Sequence, residues 1–216
     1  MMMTKWKTSA MGLILVIVIG ALISGPLMSN VEHPQYIVTE KHKSIELRDY
    51  SPRTVAQVST SGTREEAISS GFRQLADYIF GNNIASEFMS AEKQASQGQI
   101  STNKKIAMTA PVEQSKVNDT WTITFTMPSE HTLESLPSPK NAAITLSTVP
   151  PQSFIAIQFS GTNSTQNIGI HENKLRSFCE QNNIKIKNDA IYAFYNPPWT
   201  LPILRRNEVM FPIDED

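Results

Sequence analysis

The chain has 216 residues, 19 Lys and Arg against 20 Asp and Glu, a formal net charge of -1 and 40% hydrophobic residues. A balance this close to neutral excludes the broad basic face that displaces counterions from nucleic acid. The single cysteine, Cys179, excludes an internal disulfide and reads as a buried thiol on a helix face.

Lys5 and Lys7 precede an uncharged run from Ala10 to Met28, AMGLILVIVIGALISGPLM. Its apolar core, about 17 residues, lies at the lower limit for a membrane span and near the upper limit for a signal-peptide core. Basic residues stay on the cytoplasmic side. The expectation is therefore a signal anchor over residues 1–30, with residues 31–216 exported as a membrane-anchored periplasmic or extracellular domain. Cleavage of the segment would make the domain secreted. That remainder, roughly 180 residues, is long enough to bury a core of its own.

Tyr36 to Glu40 and Ser44 to Tyr50 read as strands split by Lys41-His42-Lys43; Ile45 and Leu47 alternate with Glu46 and Arg48. Ser51-Pro52 turns the chain, and Arg53 to Thr60 follows as a strand with Ala56 and Val58 inward. After Ser61-Gly62-Thr63 comes a helix. Thr63 and Glu66 form a capping-box pattern, Ile68, Gly71, Phe72, Leu75, Ala76 and Ile79 share one face, and Gly81 supplies the stop. Ile84 to Asn103 is a Gln- and Ser-rich insertion read as a surface loop, with a lid as the alternative. Lys104 to Gln114 reads as a mostly apolar strand broken at Pro111. Trp121, Ile123, Phe125 and Met127 alternate with three threonines in the clearest strand of the chain.

Pro150 to Asn183 repeats the earlier pattern. Ser160-Gly161-Thr162 answers Ser61-Gly62-Thr63 and, with one residue inserted, Ile168, Leu175 and Phe178 answer Ile68, Leu75 and Tyr78. Strands are expected at Ala143 to Val149, Phe154 to Ser160, Ile191 to Tyr195 and Glu208 to Ile213, and a second helix from about Gln166 to Gln181. Two halves, about 36–127 and 143–213, then make an α+β fold: one antiparallel sheet or open barrel carrying both helices, with a groove between them as the natural ligand position.

No nucleophile elbow, Gly-rich phosphate loop or paired metal-ligand spacing is present, and the expectation is not an enzyme. His33 and His131 read as solvent-exposed loop residues and His42 as a turn residue. His171 takes the place of Gly71 in the repeat; it is either a hydrogen-bonded core histidine or a ligand to a haem iron. Glu113 and Glu208 read as single carboxylates without a partner. Arg205-Arg206 reads as a structural pair tying strand ends and loop carbonyls.

Five stretches, IELRDYSPRTVAQV, GFRQLADYIFGNN, KIAMTAPVEQ, FTMPS and YNPPWTLPILRRNEVMF, together resemble the SOUL haem-binding protein family from about Tyr36 to Pro212. The resemblance implies a distorted antiparallel β-barrel of two pseudo-symmetric β-α-β-β repeats with two helices packed on it. It also implies binding of haem or another tetrapyrrole without turnover. One branch of the family places an iron-ligating histidine where this chain has Asp49, and another places basic residues at what are here Ser69 and Asp77. What the chain keeps for a porphyrin is the apolar pair Ile68 and Phe72, the cations Arg64 and Arg73 on the first helix and, on the second helix, His171. The functional expectation is a membrane-tethered, non-catalytic haem-binding protein. The alternatives are a module for other amphipathic or cationic small molecules, or an interaction protein at the membrane surface.

Overall fold

The computed structural model describes residues 31–85, 103–187 and 189–213. Strands β1 (Tyr36–His42), β2 (Ile45–Tyr50) and β3 (Arg53–Thr60) lead into helix α1 (Arg64–Ile79) and the short β4 (Asn83–Ile84). There follow β5 (Val112–Val117), β6 (Thr120–Thr126), the short β7 (Ser138–Pro139), β8 (Ile144–Val149) and β9 (Gln152–Phe159). Helix α2 (Thr165–Gln181), β10 (Ile191–Phe194) and β11 (Asn207–Pro212) complete the chain. Nine strands form one sheet in the order β1-β2-β9-β11-β10-β5-β6-β3-β8, while β4 and β7 pair by themselves. Every pairing is antiparallel, so the fold is α+β: a curled half-barrel with two helices on one side.

The strand order encodes an exchange. From the central β10–β5 pair, each half runs outward through its own last strand and the strand before its helix, β11 then β9 and β6 then β3. Each is then capped by a strand from the other half, β2 on β9 and β8 on β3. The turns before both helices are alike: Gly62 and Gly161 adopt φ of 110° and 105°, a region that side chains avoid. Thr63 caps α1 in a complete capping box with Glu66. Ser164 caps α2, accepting from the Asn167 amide, with Thr162 and Asn163 between Gly161 and the cap where Thr63 follows Gly62 directly.

Alternation along the strands divides the core into layers. On the helix side, Val58, Ile123 and Phe125 pack under Leu75 and Tyr78 of α1, and Ile155, Ile157, Val209 and Phe211 under Leu175 of α2. On the opposite side, Tyr50, Phe154, Ala156, Tyr195 and Met210 surround a buried ionic cluster. Glu208, fully buried, accepts two bonds from Arg48 (2.7 and 3.0 Å), two from Arg206 (2.8 and 3.0 Å) and one from the Tyr195 hydroxyl (2.9 Å). Arg48 also donates to Glu46 at 2.9 Å and lies over the Tyr36 ring. In register, Phe154 opposes Arg48 and Gln158 opposes Glu208 across β9, and the β9 residue between them on that face is the small Ala156. Glu113 of β5 is held in the same manner by Arg53 of β3, at 2.5 and 3.1 Å.

Several expectations are corrected. Among the described residues no helix is long and apolar enough to cross a membrane, so the membrane-anchored, exported location is withdrawn and a transmembrane helix has no support there. The run Ala10 to Met28 that suggested it, and residues 86–102 of the insertion, lie outside the described residues. Lys104 to Ala110 is not strand. Pro111 has no amide to donate, and the segment is tied down by Ile106 N–H on the Ile79 carbonyl and by the Asn83 side chain on Lys104. Glu113 and Glu208 are not single carboxylates, because Glu113 meets Arg53 and Glu208 meets Arg48, each from a strand distant in sequence, and Glu208 also meets the neighbouring Arg206.

Breaking the cluster from one side strands a buried charge. Arg48→Ala is expected to cost about 3–5 kcal/mol in urea unfolding, while the double change Arg48→Met with Glu208→Leu recovers most of it. Burial pushes the Glu208 carboxyl up, but hydrogen bonds and charge from Arg48 and Arg206 outweigh it and hold the group below the usual carboxylate range. The stabilisation is therefore full above the ordinary carboxylate value and declines as pH falls through the lowered folded value. Glu208→Gln flattens that acid limb of the stability–pH curve.

Candidate functional site

Helix α1 sits against β3 and β6 through Ala67, Gly71, Leu75, Tyr78 and Ile79. Gly71 is a contact glycine: a Cβ there would stand 2.4 Å from Ile123 Cγ1, so the helix lies closer to the sheet than any side chain allows. This approach sets the height of the next helical stripe. Ile68 is half-buried against the core and Phe72, 37% exposed, meets Phe125 edge-on at 5.5 Å. Arg73, beside Phe72, is exposed and donates its Nε to the Ser69 carbonyl at 3.1 Å. Ile68, Phe72 and Arg73 thus form an apolar step with a cation at its edge, and the structure brings these three together.

Arg64 opens the same side of α1. Its guanidinium donates to the Asn163 carbonyl and to Gln114 Oε1, both at 3.0 Å, and approaches the Tyr192 and Phe194 rings at 5.9 and 5.5 Å. Its Nε is buried without a partner among the described residues. Across the sheet from it, the Tyr192 hydroxyl donates to Glu172 of α2 at 2.8 Å, and Glu172 is paired with Arg176. Burial, followed by the Glu172 bond, pushes the Tyr192 phenol well above its ordinary value. The floor between the helices is therefore built of Gln114 and Tyr192, closed at one end by Arg64.

His171 is placed elsewhere. Its ring stacks on Phe159 of β9 at 4.0 Å, and Nδ1 lies 2.8 Å from the Asn167 carbonyl. A carbonyl only accepts, so Nδ1 is the donor in this contact. The α1 face and His171 belong to different halves, α1 packing on β3 and β6 and α2 on β9 and β11. The other described histidines are also remote from α1: His33 meets Tyr195, His42 lies beside Phe178 and His131 beside Glu130. His33 and His131, expected in solvent, are partly buried and line one cavity. Spacing gave no signal for this, since 98 positions of sequence separate the two (131 − 33). Among the described residues no group of three or more His, Cys, Asp or Glu is arranged to hold a metal ion.

The positions where the resemblance expected other chemistry are structural. Asp49 accepts from Ser153 Oγ at 2.7 Å across the β2–β9 pair, and Asp77 accepts from the Asn82 side chain at the end of α1. Both buried carboxylates opposite the helices are neutralised from within by arginines, so an organic cation meets no unpaired partner in Glu208 or Glu113.

The model of the SOUL heme-binding protein family matches residues 31–212. The chain belongs to this family. Among curated proteins none matches the sequence. Solved structures share the fold at low identity. A hydrolase from Listeria innocua is 11% identical with a TM-score of 0.50, covering 82% of this chain and 94% of that one. The EcmrR C-terminal domain is 11% identical with a TM-score of 0.50, covering 80% and 98%. EcmrR in a complex with DNA is 12% identical with a TM-score of 0.52, covering 80% of this chain and 57% of that one. At these identities the likeness concerns the sheet and its two helices; the SOUL membership bears on ligand class.

Gly71→Ala tests how far the apolar step depends on the seating of α1. Overpacking against Ile123 is expected to cost about 1–3 kcal/mol in thermal unfolding and to raise the exposure of Phe72, read by hydrogen exchange along α1.

Proposed function

We infer that this chain is a binding protein for haem or another flat tetrapyrrole, without turnover of its own. The observation that carries the reading is the family membership over residues 31–212, joined to an apolar step on α1 that a planar ring can cover. Phe72 and Ile68 supply contact area for the porphyrin face, and exposed Arg73 stands where a peripheral carboxylate would lie. When bound, haem supplies an iron-centred redox couple and a coloured ring; the residues of α1 bind and orient that ring. The donor set suits the body of the porphyrin better than its iron, because no histidine lies on that helix and His171 stacks on Phe159 of the other half.

The reading as a binder is supported by the state of the reactive groups. Burial pushes the Cys179 thiol up to about 11, which keeps it protonated and weakly nucleophilic at neutral pH. Glu113 and Glu208 are committed to ion pairs, which leaves neither disposed to accept a substrate proton.

The test is a haem titration of the purified chain followed at the Soret band. Saturable binding is expected; Phe72→Asp weakens it by about tenfold or more, equivalent to roughly 1.4 kcal/mol. Arg73→Ala weakens it only severalfold and only at low salt, as an exposed ion pair should. His171→Ala leaves the Soret maximum unchanged. Absence of saturation at micromolar haem, or binding indifferent to Phe72→Asp, would reject the α1 face.

A further inference from the structure

The connection from β10 to β11 carries a contiguous apolar surface. Of the eleven large apolar side chains exposed among the described residues, four fall within six positions: Trp199 (60%), Leu201 (36%), Ile203 (79%) and Leu204 (50%). Pro198 and Pro202 beside them are exposed as well. Single exposed apolar residues are ordinary, whereas a contiguous group marks a contact surface.

The backbone beneath this surface is fixed, and its carbonyls are turned inward. Pro197, Pro198 and Pro202 have no amide to satisfy. The Thr200 amide bonds the Pro197 carbonyl at 3.0 Å, and the Leu204 and Arg205 amides close a short helical turn on the Leu201 and Pro202 carbonyls at 2.9 and 3.2 Å. The Gly161 amide, from the turn before α2, also holds the Pro202 carbonyl at 2.8 Å. Arg205 folds back, donating Nε to the Thr200 carbonyl at 2.8 Å and a terminal nitrogen to the Pro198 carbonyl. The carbonyls of Pro197, Pro198, Thr200, Leu201 and Pro202 are therefore bonded within the protein. Apolar side chains outside and bonded carbonyls inside suit a lipid interface, where an unbonded backbone group is costly. A protein partner sets no such condition, since it supplies hydrogen bonds of its own. It also takes roughly 20–30 residues a side for a stable interface, far more than this patch offers.

Charge favours the same occupant. Between Asn196 and Asn207 the charged residues are Arg205 and Arg206, and the supporting turn from Ser160 to Asn167 has none. Arg206 is paired with Glu208, while Arg205 meets carbonyls and not a carboxylate. The rim of the patch is therefore positive, which suits an anionic surface. Trp199 adds a ring that is apolar along its body and polar at its N–H, the side chain favoured where lipid meets water.

We propose that the loop from Pro197 to Arg205 is a contact surface for an anionic lipid bilayer, entering its interfacial layer through Trp199, Leu201, Ile203 and Leu204. It shares no residue with the α1 face and is independent of the porphyrin reading. Nothing in this contact crosses the bilayer, and no compartment follows from it. The test uses the full chain carrying Trp6→Phe, which leaves Trp199 and the buried Trp121 as fluorophores. The probe is a vesicle of equal parts phosphatidylcholine and phosphatidylglycerol with brominated acyl chains. Saturable quenching of Trp199 is expected, weakening as salt is raised. Ile203→Asp with Leu204→Asp weakens vesicle binding about tenfold or more at an unchanged melting temperature, since both side chains are exposed. Attachment through the uncharged run from Ala10 to Met28 instead would leave Trp199 unquenched and the double variant bound as the parent is, which overturns the assignment. So does equal binding to vesicles of phosphatidylcholine alone, or a dimer in vesicle-free solution that Ile203→Asp dissolves.

Discussion

A carboxylate taken fully out of water governs how this sheet is assembled. Glu208 sits on β11 in the layer opposite the helices, where an isolated charge would be prohibitive, and it persists because Arg48, Arg206 and Tyr195 converge on it. Arg48 comes from β2, a strand of the first half exchanged onto the second. The same pair that neutralises the charge therefore fixes which strand may lie beside β9, since a different neighbour would leave Glu208 short of its strongest partner. Arg53 and Glu113 repeat the device nearer the middle of the sheet. Specificity of strand order is the plainest role for these ion pairs, because their desolvation makes a large net gain in stability implausible.

The two halves share topology but have diverged on both faces. On the helix side, Gly71 lets α1 approach Ile123, whereas the matching position in α2 is His171, stacked on Phe159. On the opposite side, the second half is filled by Tyr50, Phe154, Tyr195 and Met210, while the first carries the polar contacts of Gln57 with Thr124 and Ser59 with Thr122. A sheet built from two equivalent units thus presents an apolar step on one helix and a small mixed cavity at the opposite rim.

Much of the fold was legible from local chemistry. The capping box at Thr63 and Glu66, the glycine turns at 62 and 161, and the alternation from Trp121 to Met127 each follow from short-range rules, and the structure reproduces them. Lys104 to Ala110 was misread because a short apolar run looks alike whether it pairs or only packs; Ile106 is buried without belonging to a ladder. Arg48 and Arg53 as the partners of Glu208 and Glu113 could not be read, because pairing across 160 and 60 positions is a property of strand order and leaves no periodicity behind. The α1 candidates Ile68, Phe72 and Arg73 were legible as neighbours on one helix. The stacking of His171 on Phe159 was not, since the repeat that equates it with Gly71 says nothing of what its ring meets.

The central claim is that α1 recognises the body of a tetrapyrrole and not its metal. The most direct measurement compares haem with metal-free protoporphyrin in quenching the intrinsic tryptophan fluorescence of the purified chain. The account predicts dissociation constants within about threefold of each other, a difference below roughly 0.7 kcal/mol. Haem bound a hundredfold more tightly than the metal-free ring would contradict it, because that preference requires an iron ligand.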